Sequence, residues 1–212
     1  MTIFLARHGE TDWNRQGRMQ GRLGAALNEL GRSQSRALAG LARRLGVRQV
    51  IASPLPRATE TARAVADALG CPLTLCEALM EVDFGDCTGL TEAEIDARYP
   101  DLARTRKLDK WQHRWPGGES YADALARLDR AVADGTLPGP PLTLLVAHQS
   151  VNRALTRALS GLSTAEALAM TQRSDVLLRV EGRALSHLSF GGAEDPLAWC
   201  EGPYRGGRPK LN

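Results

Sequence analysis

Hydrophobic and polar positions along this chain switch repeatedly between two periods. The runs "TIFLA" (2–6), "VRQVIAS" (47–53), "PLTLC" (72–76) and "LTLLVAH" (142–148) have the length and composition of buried strands. Between them apolar residues recur at helical spacing. In "SQSRALAGLARRLG" (33–46) Leu38, Leu41, Ala42 and Leu45 share a face and the run stops at a glycine, as does "LPRATETARAVADALG" (55–70). Further helices are predicted at "TEAEIDARYP", ended by Pro100, at "ESYADALARLDRAVADG" (119–135) with Ser120 as a candidate N-cap, and at "SVNRALTRALSG" (150–161). A polar loop is predicted over about 77–90, and an irregular basic and aromatic segment from Pro100 to Gly118. "SDVLLRVEG" and "RALSHLSFG" read as an antiparallel hairpin around Glu181, Gly182 and Arg183. Strands alternating with helices predict an α/β fold, a three-layer α/β/α sandwich with a largely parallel central sheet. One domain is expected over 1–201, followed by a mobile tail over 202–212.

Composition narrows the class of protein. The 212 residues, 43% hydrophobic and 24% charged, suit one globular domain with a sizeable core. No run approaches the roughly 18 apolar residues of a membrane span, and Arg7 interrupts the start before a secretory segment could form. The expectation is a cytoplasmic protein with no membrane partner. Cys71, Cys76, Cys87 and Cys200 lack CxxC spacing and read as reduced thiols rather than zinc ligands. The net charge of +3 is too modest for a nucleic-acid surface, so no nucleic-acid partner is expected. The basic set is nonetheless lopsided, with 24 Arg against 3 Lys. Arginine is the side chain whose planar fork grips phosphate in a bidentate manner.

In sheets of this kind, sites form beyond the carboxyl ends of the strands. Arg7 and His8 leave the first strand, Arg57 follows the second, Glu81 lies in the loop after the third, and His148 ends "LTLLVAH". A lone His is most often a hydrogen-bonded structural residue and a lone Arg a solvated one. Five such residues at one sheet edge match what phosphoryl transfer requires. Cationic donors surround the equatorial oxygens, a neutral imidazole attacks phosphorus, and a protonated carboxyl serves the leaving oxygen. No DxDxDG, HExxH or P-loop is present, so no metal and no cofactor are expected.

"LARHGETDWN", followed in order by "QGRLGAALNELGRSQ", "SPLPRATETA", "MEVDFGDCTG" and "VAHQS", resembles the histidine phosphatase superfamily, in the branch that includes cofactor-dependent phosphoglycerate mutases. The resemblance implies a phosphoglycerate mutase-like fold. It also implies that His8 is the phosphorylated nucleophile, that Arg7, Arg57 and His148 form the phosphate pocket, and that Glu81 is the proton donor. Asn14 matches a loop residue that also touches phosphate. A buried His8 attacking through one ring nitrogen needs its other N–H held by a nearby carbonyl such as that of Gly9, and Gly9 lets the chain turn closely around the site.

The branch holds both mutases and phosphatases. At 212 residues the chain is expected to lack the longer insertion and C-terminal extension typical of the true mutases, an expectation that favours a phosphatase. Residues 90–128 and "HQSVNRAL" resemble the bisphosphatase domain of the fructose-2,6-bisphosphatases. By position, the resemblance implies that Arg106, Lys110, Tyr121, Gln149 and Arg153 hold a sugar and its second phosphate, as their cationic and hydroxyl-binding chemistry permits. The partner so implied is a small phosphorylated metabolite, a sugar phosphate or bisphosphate. Broad-specificity or phosphoglycerate-type activity is the alternative, and a non-catalytic phosphate-binding module, which would not need both His8 and Glu81, is the alternative of another class. Departures bear on the sugar: Glu92 replaces a substrate-holding Tyr and would repel a phosphate, Gly24 and Ala26 replace Asp and Pro, and Cys87-Thr88 replaces Trp-Glu. Trp111, His113, Arg114 and Trp115 read better as a lid over the pocket than as a base-stacking surface. Glu119 reads as structural, His187 likewise, and monomer and homodimer both stay open.

Overall fold

A computed structural model describes residues 1–191 and 197–206. Its elements in chain order are β1 (Thr2–Arg7), α1 (Asp12–Arg15), α2 (Glu29–Arg44), β2 (Gln49–Ala52), α3 (Pro56–Leu69) and β3 (Leu73–Leu75). Two single 3-10 turns, Glu77–Leu79 and Gly85–Cys87, lead to α4 (Glu92–Arg98), α5 (Pro100–Leu108) and α6 (Tyr121–Ala133). Then follow β4 (Thr143–Ala147), α7 (Gln149–Ser160), α8 (Thr164–Ala169), β5 (Val176–Glu181), β6 (Ala184–Ser189) and β7 (Cys200–Glu201). The sheet order is β3-β2-β4-β1-β5-β6-β7. The first four strands in that order run parallel, and β5, β6 and β7 are added antiparallel.

Side-chain alternation builds the two outer layers. Ile3, Leu5, Leu145 and Ala147 pack with Leu128 of α6 and Leu155 of α7, whereas Phe4, Ala6, Leu144 and Val146 pack with Leu38 of α2 and Val65 of α3. Period two along the strands therefore separates the two helical layers. β4 lies between β2 and β1 and is buried at all five positions, which is why "TLLVA" reads as a continuous apolar run. The expected α/β/α sandwich is the observed fold.

Register brings the strand ends together. Arg7 lies opposite Ala147, and Ala52 opposite Val146. The next residues, His8, His148 and Ser53, therefore emerge side by side. Gly9 permits this crossing on the α2 side: a Cβ there would stand 2.4 Å from the Gly31 carbonyl oxygen, a distance that no side chain tolerates.

The structure corrects several boundaries. Pro100 begins α5 rather than leading into irregular chain, since a proline at N1 gives up an N–H that has no helical partner anyway. α2 begins four residues before the predicted start, capped by Asn28, whose Oδ1 accepts the Gly31 N–H at 2.9 Å. α8, capped by a Ser163–Glu166 box, was not predicted. Ser120 does cap α6. Of the predicted tail, Gly202 donates to Leu185 O at 2.7 Å and Tyr204 O accepts the Thr171 N–H at 3.0 Å. Residues 207–212 lie outside the described residues, as do 192–196. Among the described residues no helix is long and apolar enough to cross a membrane.

Candidate active site

His8 is 2% exposed at the end of β1. Its Nδ1 lies 2.7 Å from Gly9 O, and Arg57 Nε lies 3.2 Å from its Nε2. A guanidinium can only donate, so Nε2 carries the lone pair and the ring proton sits on Nδ1, donated to Gly9. Burial first, then the charges of Arg57 and Arg7, holds the imidazole well below its ordinary value near 6.5. His8 is thus a neutral imidazole with a defined lone pair.

Arg57, also 2% exposed, is the first-turn residue of α3. Nη1 donates to Leu23 O at 2.6 Å and Nη2 to Gly21 O at 2.7 Å. Burial pulls its pKa down to about 10, with Glu81 opposing, so it keeps its charge at neutral pH. Arg7 Nη1 donates to Gln149 Oε1 and to Gln172 O, both at 3.1 Å. Glu81 is 8% exposed, with Oε1 accepting the Val82 N–H at 2.9 Å and Oε2 facing the Ser150 N–H at 3.5 Å.

His148 is fully buried beneath this group, its ring centroid 5.1 Å from that of His8. Its Nε2 lies 2.8 Å from Ser53 Oγ, while its Nδ1 has no hydrogen-bond partner among the described residues. A Ser53 hydroxyl that donates to Nε2 leaves the His148 proton on Nδ1, a buried donor suited to an anion. Burial and then Arg57 also push this imidazole well below its ordinary value.

A cavity of about 660 Å³ opens over these residues and is lined by every predicted site residue except His148. At the end formed by α5, α6 and α7, Arg153 donates through Nε to Met170 O at 2.7 Å and through Nη1 to Tyr121 Oη at 2.8 Å. Lys110 lies in the same wall, where burial lowers its pKa. Arg106 sits over the Trp115 ring, 5.0 Å from its centroid, and pairs with Glu92 at 3.5 Å. Glu92, read from sequence as repelling a phosphate, is thus paired with Arg106, one of the candidate cations. Asn14 Oδ1 accepts from Thr11 N and Thr11 Oγ1, both at 3.1 Å, in the capping box of α1. That fixes the amide orientation and leaves its NH2 as the donor group.

Trp115 lines the cavity, edge-on to Phe84 at 5.2 Å, whereas Trp111 is buried in the core behind it, stacked on Tyr121 at 5.6 Å. Sequence reasoning missed the supporting polar residues. Gln172, 2% exposed, takes the Asn152 amide at 2.7 Å and donates to Leu5 O and Val176 O, which fixes the carbonyl that holds Arg7. The available signals were Asn152 on an otherwise apolar helix face and the polar run "TQRSD" before β5. Thr61 Oγ1 likewise accepts the Gly9 N–H at 3.0 Å. Among the described residues, no three His, Cys, Asp or Glu side chains cluster as metal ligands.

The two depressed histidines make stability depend on pH. In the unfolded chain they take protons near pH 6.5, while in the folded chain burial resists this. Their contribution is fully present above about pH 6.5 and is lost as pH falls toward their folded values. The urea midpoint should therefore drop between pH 7.5 and pH 5, and drop less in a His8→Gln variant. Equal drops in the two proteins would contradict the buried neutral imidazole.

Comparison with known proteins decides the family. The model of the histidine phosphatase superfamily (branch 1) matches residues 3–187. This chain belongs to the histidine phosphatase superfamily. A chicken (Gallus gallus) 6-phosphofructo-2-kinase/fructose-2,6-bisphosphatase is 39% identical over 155 residues, 72% of this chain and 31% of that protein, so this chain spans about a third of the length of such relatives. A probable phosphoglycerate mutase of Enterobacter sp. (strain 638) is 34% identical over 90% of this chain and 89% of its own. The structure of mycobacterial glucosyl-3-phosphoglycerate phosphatase matches with a TM-score of 0.73 at 29% identity, covering 97% of this chain and 99% of that one.

Proposed function

We propose that this protein is a metal-independent phosphomonoesterase that acts through a phosphohistidine intermediate on a small sugar phosphate or bisphosphate. The observation that carries the reading is the fixed tautomer of His8, whose Nε2 lone pair belongs to the same cavity as the Glu81 carboxyl. In the first step Nε2 attacks phosphorus, the bond to the leaving oxygen breaks, and Glu81 gives that oxygen its proton. Arg7, Arg57 and His148 hold the equatorial oxygens as their charge shifts. The Arg57 Nε–H, which faces Nε2, passes to a phosphoryl oxygen on binding. In the second step the Glu81 carboxylate takes a proton from water, whose oxygen attacks phosphorus, and the P–N bond breaks to return neutral His8 and release phosphate.

Arg106, Lys110 and Arg153 support a second anionic group on the substrate, with Gln149 and Tyr121 able to bond sugar hydroxyls. The test is phosphate release, with EDTA present, from fructose 2,6-bisphosphate, fructose 1,6-bisphosphate, sedoheptulose 1,7-bisphosphate, 3-phosphoglycerate and p-nitrophenyl phosphate. A sugar bisphosphate should lead by tenfold or more in kcat/KM, about 1.4 kcal/mol of transition-state discrimination. A flat or phosphoglycerate-led profile would contradict the sugar assignment, and activity that EDTA abolishes and magnesium restores would contradict the metal-free one.

A further inference from the structure

One carboxylate joins the loop that carries Glu81 to the loop that holds Arg57. Glu119 directly precedes the N-cap of α6, and its side chain is 17% exposed. Its Oε1 accepts Arg22 Nη2 at 2.7 Å and lies 3.5 Å from Arg127 Nε. Its Oε2 accepts the Asp83 N–H at 3.2 Å and Arg127 Nη2 at 3.5 Å. Arg127, in turn, donates to the carbonyls of Ala78 and Met80. Glu81 is therefore held from before by Arg127 and from after by Glu119. The seating is backbone-tight: the Glu119 N–H donates to Asp83 O at 2.8 Å, and a Cβ on Gly118 would stand 2.3 Å from that same oxygen.

The other arm reaches the nucleophile. Arg22 stands between Gly21 and Leu23, whose carbonyls accept the two Arg57 Nη groups, and Arg57 Nε contacts His8 Nε2. Capping of α6 does not account for Glu119, because Ser120 and Asp123 already complete that capping box.

We propose that Glu119 is a positioning residue that fixes the Glu81 loop and the Arg57 clamp relative to one another, so that proton donor and phosphate grip converge on one phosphoryl group. The proposal rests on the reading of Glu81 as the acid and Arg57 as the clamp. Misplacement of about an ångström costs on the order of a hundredfold in such sites.

The test compares wild type, Glu119→Gln, Glu81→Gln and the double variant, with a sugar phosphate and p-nitrophenyl phosphate as poor and good leaving groups. Inorganic phosphate as an inhibitor reports the clamp. Glu119→Gln should lose at least about tenfold more kcat/KM on the sugar phosphate than on p-nitrophenyl phosphate and should raise the inhibition constant of phosphate by about tenfold, the scale of a partial displacement. In the Glu81→Gln background that leaving-group contrast should vanish, since two residues acting through one proton transfer are not additive. If either readout stays at its wild-type value, or a fall in thermal stability is the sole effect, the proposal is overturned. Should Glu119→Gln fail to fold, Arg22→Gln releases the Arg57 arm together with a longer 3.9 Å pair to Asp83, while Glu119 keeps the Asp83 N–H and Arg127: it should weaken phosphate inhibition more than it alters the leaving-group contrast, and unchanged inhibition would overturn the coupling. Absence of any contrast in Glu81→Gln itself would instead remove the acid assignment, independently of Glu119.

Discussion

His8→Ala is expected to lower kcat by about 10⁴-fold or more on every phosphomonoester, the scale seen when a covalent nucleophile is removed. The loss is common to good and poor leaving groups because the P–N bond precedes both. The fold should survive. His8 contributes one buried ring at the sheet edge, and β1 keeps its pairing with β4 and β5 through residues 2–7. The change does leave the Arg57 Nε–H without its acceptor, at a cost of about 1–3 kcal/mol. Steady-state turnover beside a thermal melt checks both halves, and activity within tenfold of wild type would remove His8 as nucleophile.

In kcat/KM, which reports the steps through cleavage of the leaving-group bond and not the later water attack common to both substrates, Glu81→Gln should cost about 10²–10⁴-fold on sugar phosphates, the range of general acid catalysis, and less than about tenfold on p-nitrophenyl phosphate, whose leaving oxygen needs no proton. The introduced amide has a single oxygen, whereas both oxygens of the Glu81 carboxylate face N–H groups, those of Val82 and Ser150. Some displacement is therefore expected, and it would affect both substrates alike. The contrast between leaving groups isolates the proton transfer. Equal losses on the two would reassign the acid to another group.

His8, Arg57 and Glu81 were legible as candidate site residues because they follow the ends of β1, β2 and β3 in the chain, where charged residues have little packing reason to gather, while the roles proposed for them came from the resemblance. Apolar runs of strand length fixed the sheet, and the glycines after α2 and α3 marked where two helices stop. Gly70 indeed takes the left-handed conformation, with φ of 64°. Pro100 was misread because proline both closes one helix and opens the next, and the two signals coincide when helices are contiguous. The network of Arg22, Glu119 and Arg127 was invisible for a different reason: its members lie 97 and 8 residues apart along the chain and acquire meaning only when three loops meet. Glu119 read from sequence as a structural residue at a helix start, and only its placement beside Asp83 and Arg22 gives it a catalytic context. Gln172 and Asn152 were missed because a buried amide is distinguished from a surface one by tertiary burial, which periodicity cannot report.

The central claim is that the phosphoryl group passes through His8, and trapping it there is the most direct measurement. The enzyme would be mixed with excess p-nitrophenyl phosphate, denatured within the first turnovers in alkali, where phosphohistidine persists, and digested for mass spectrometry. The account predicts a phosphoryl group on His8, lost on mild acid treatment and absent from His8→Ala. Turnover with no phosphorylated His8 peptide, or with phosphate on another residue, would contradict it.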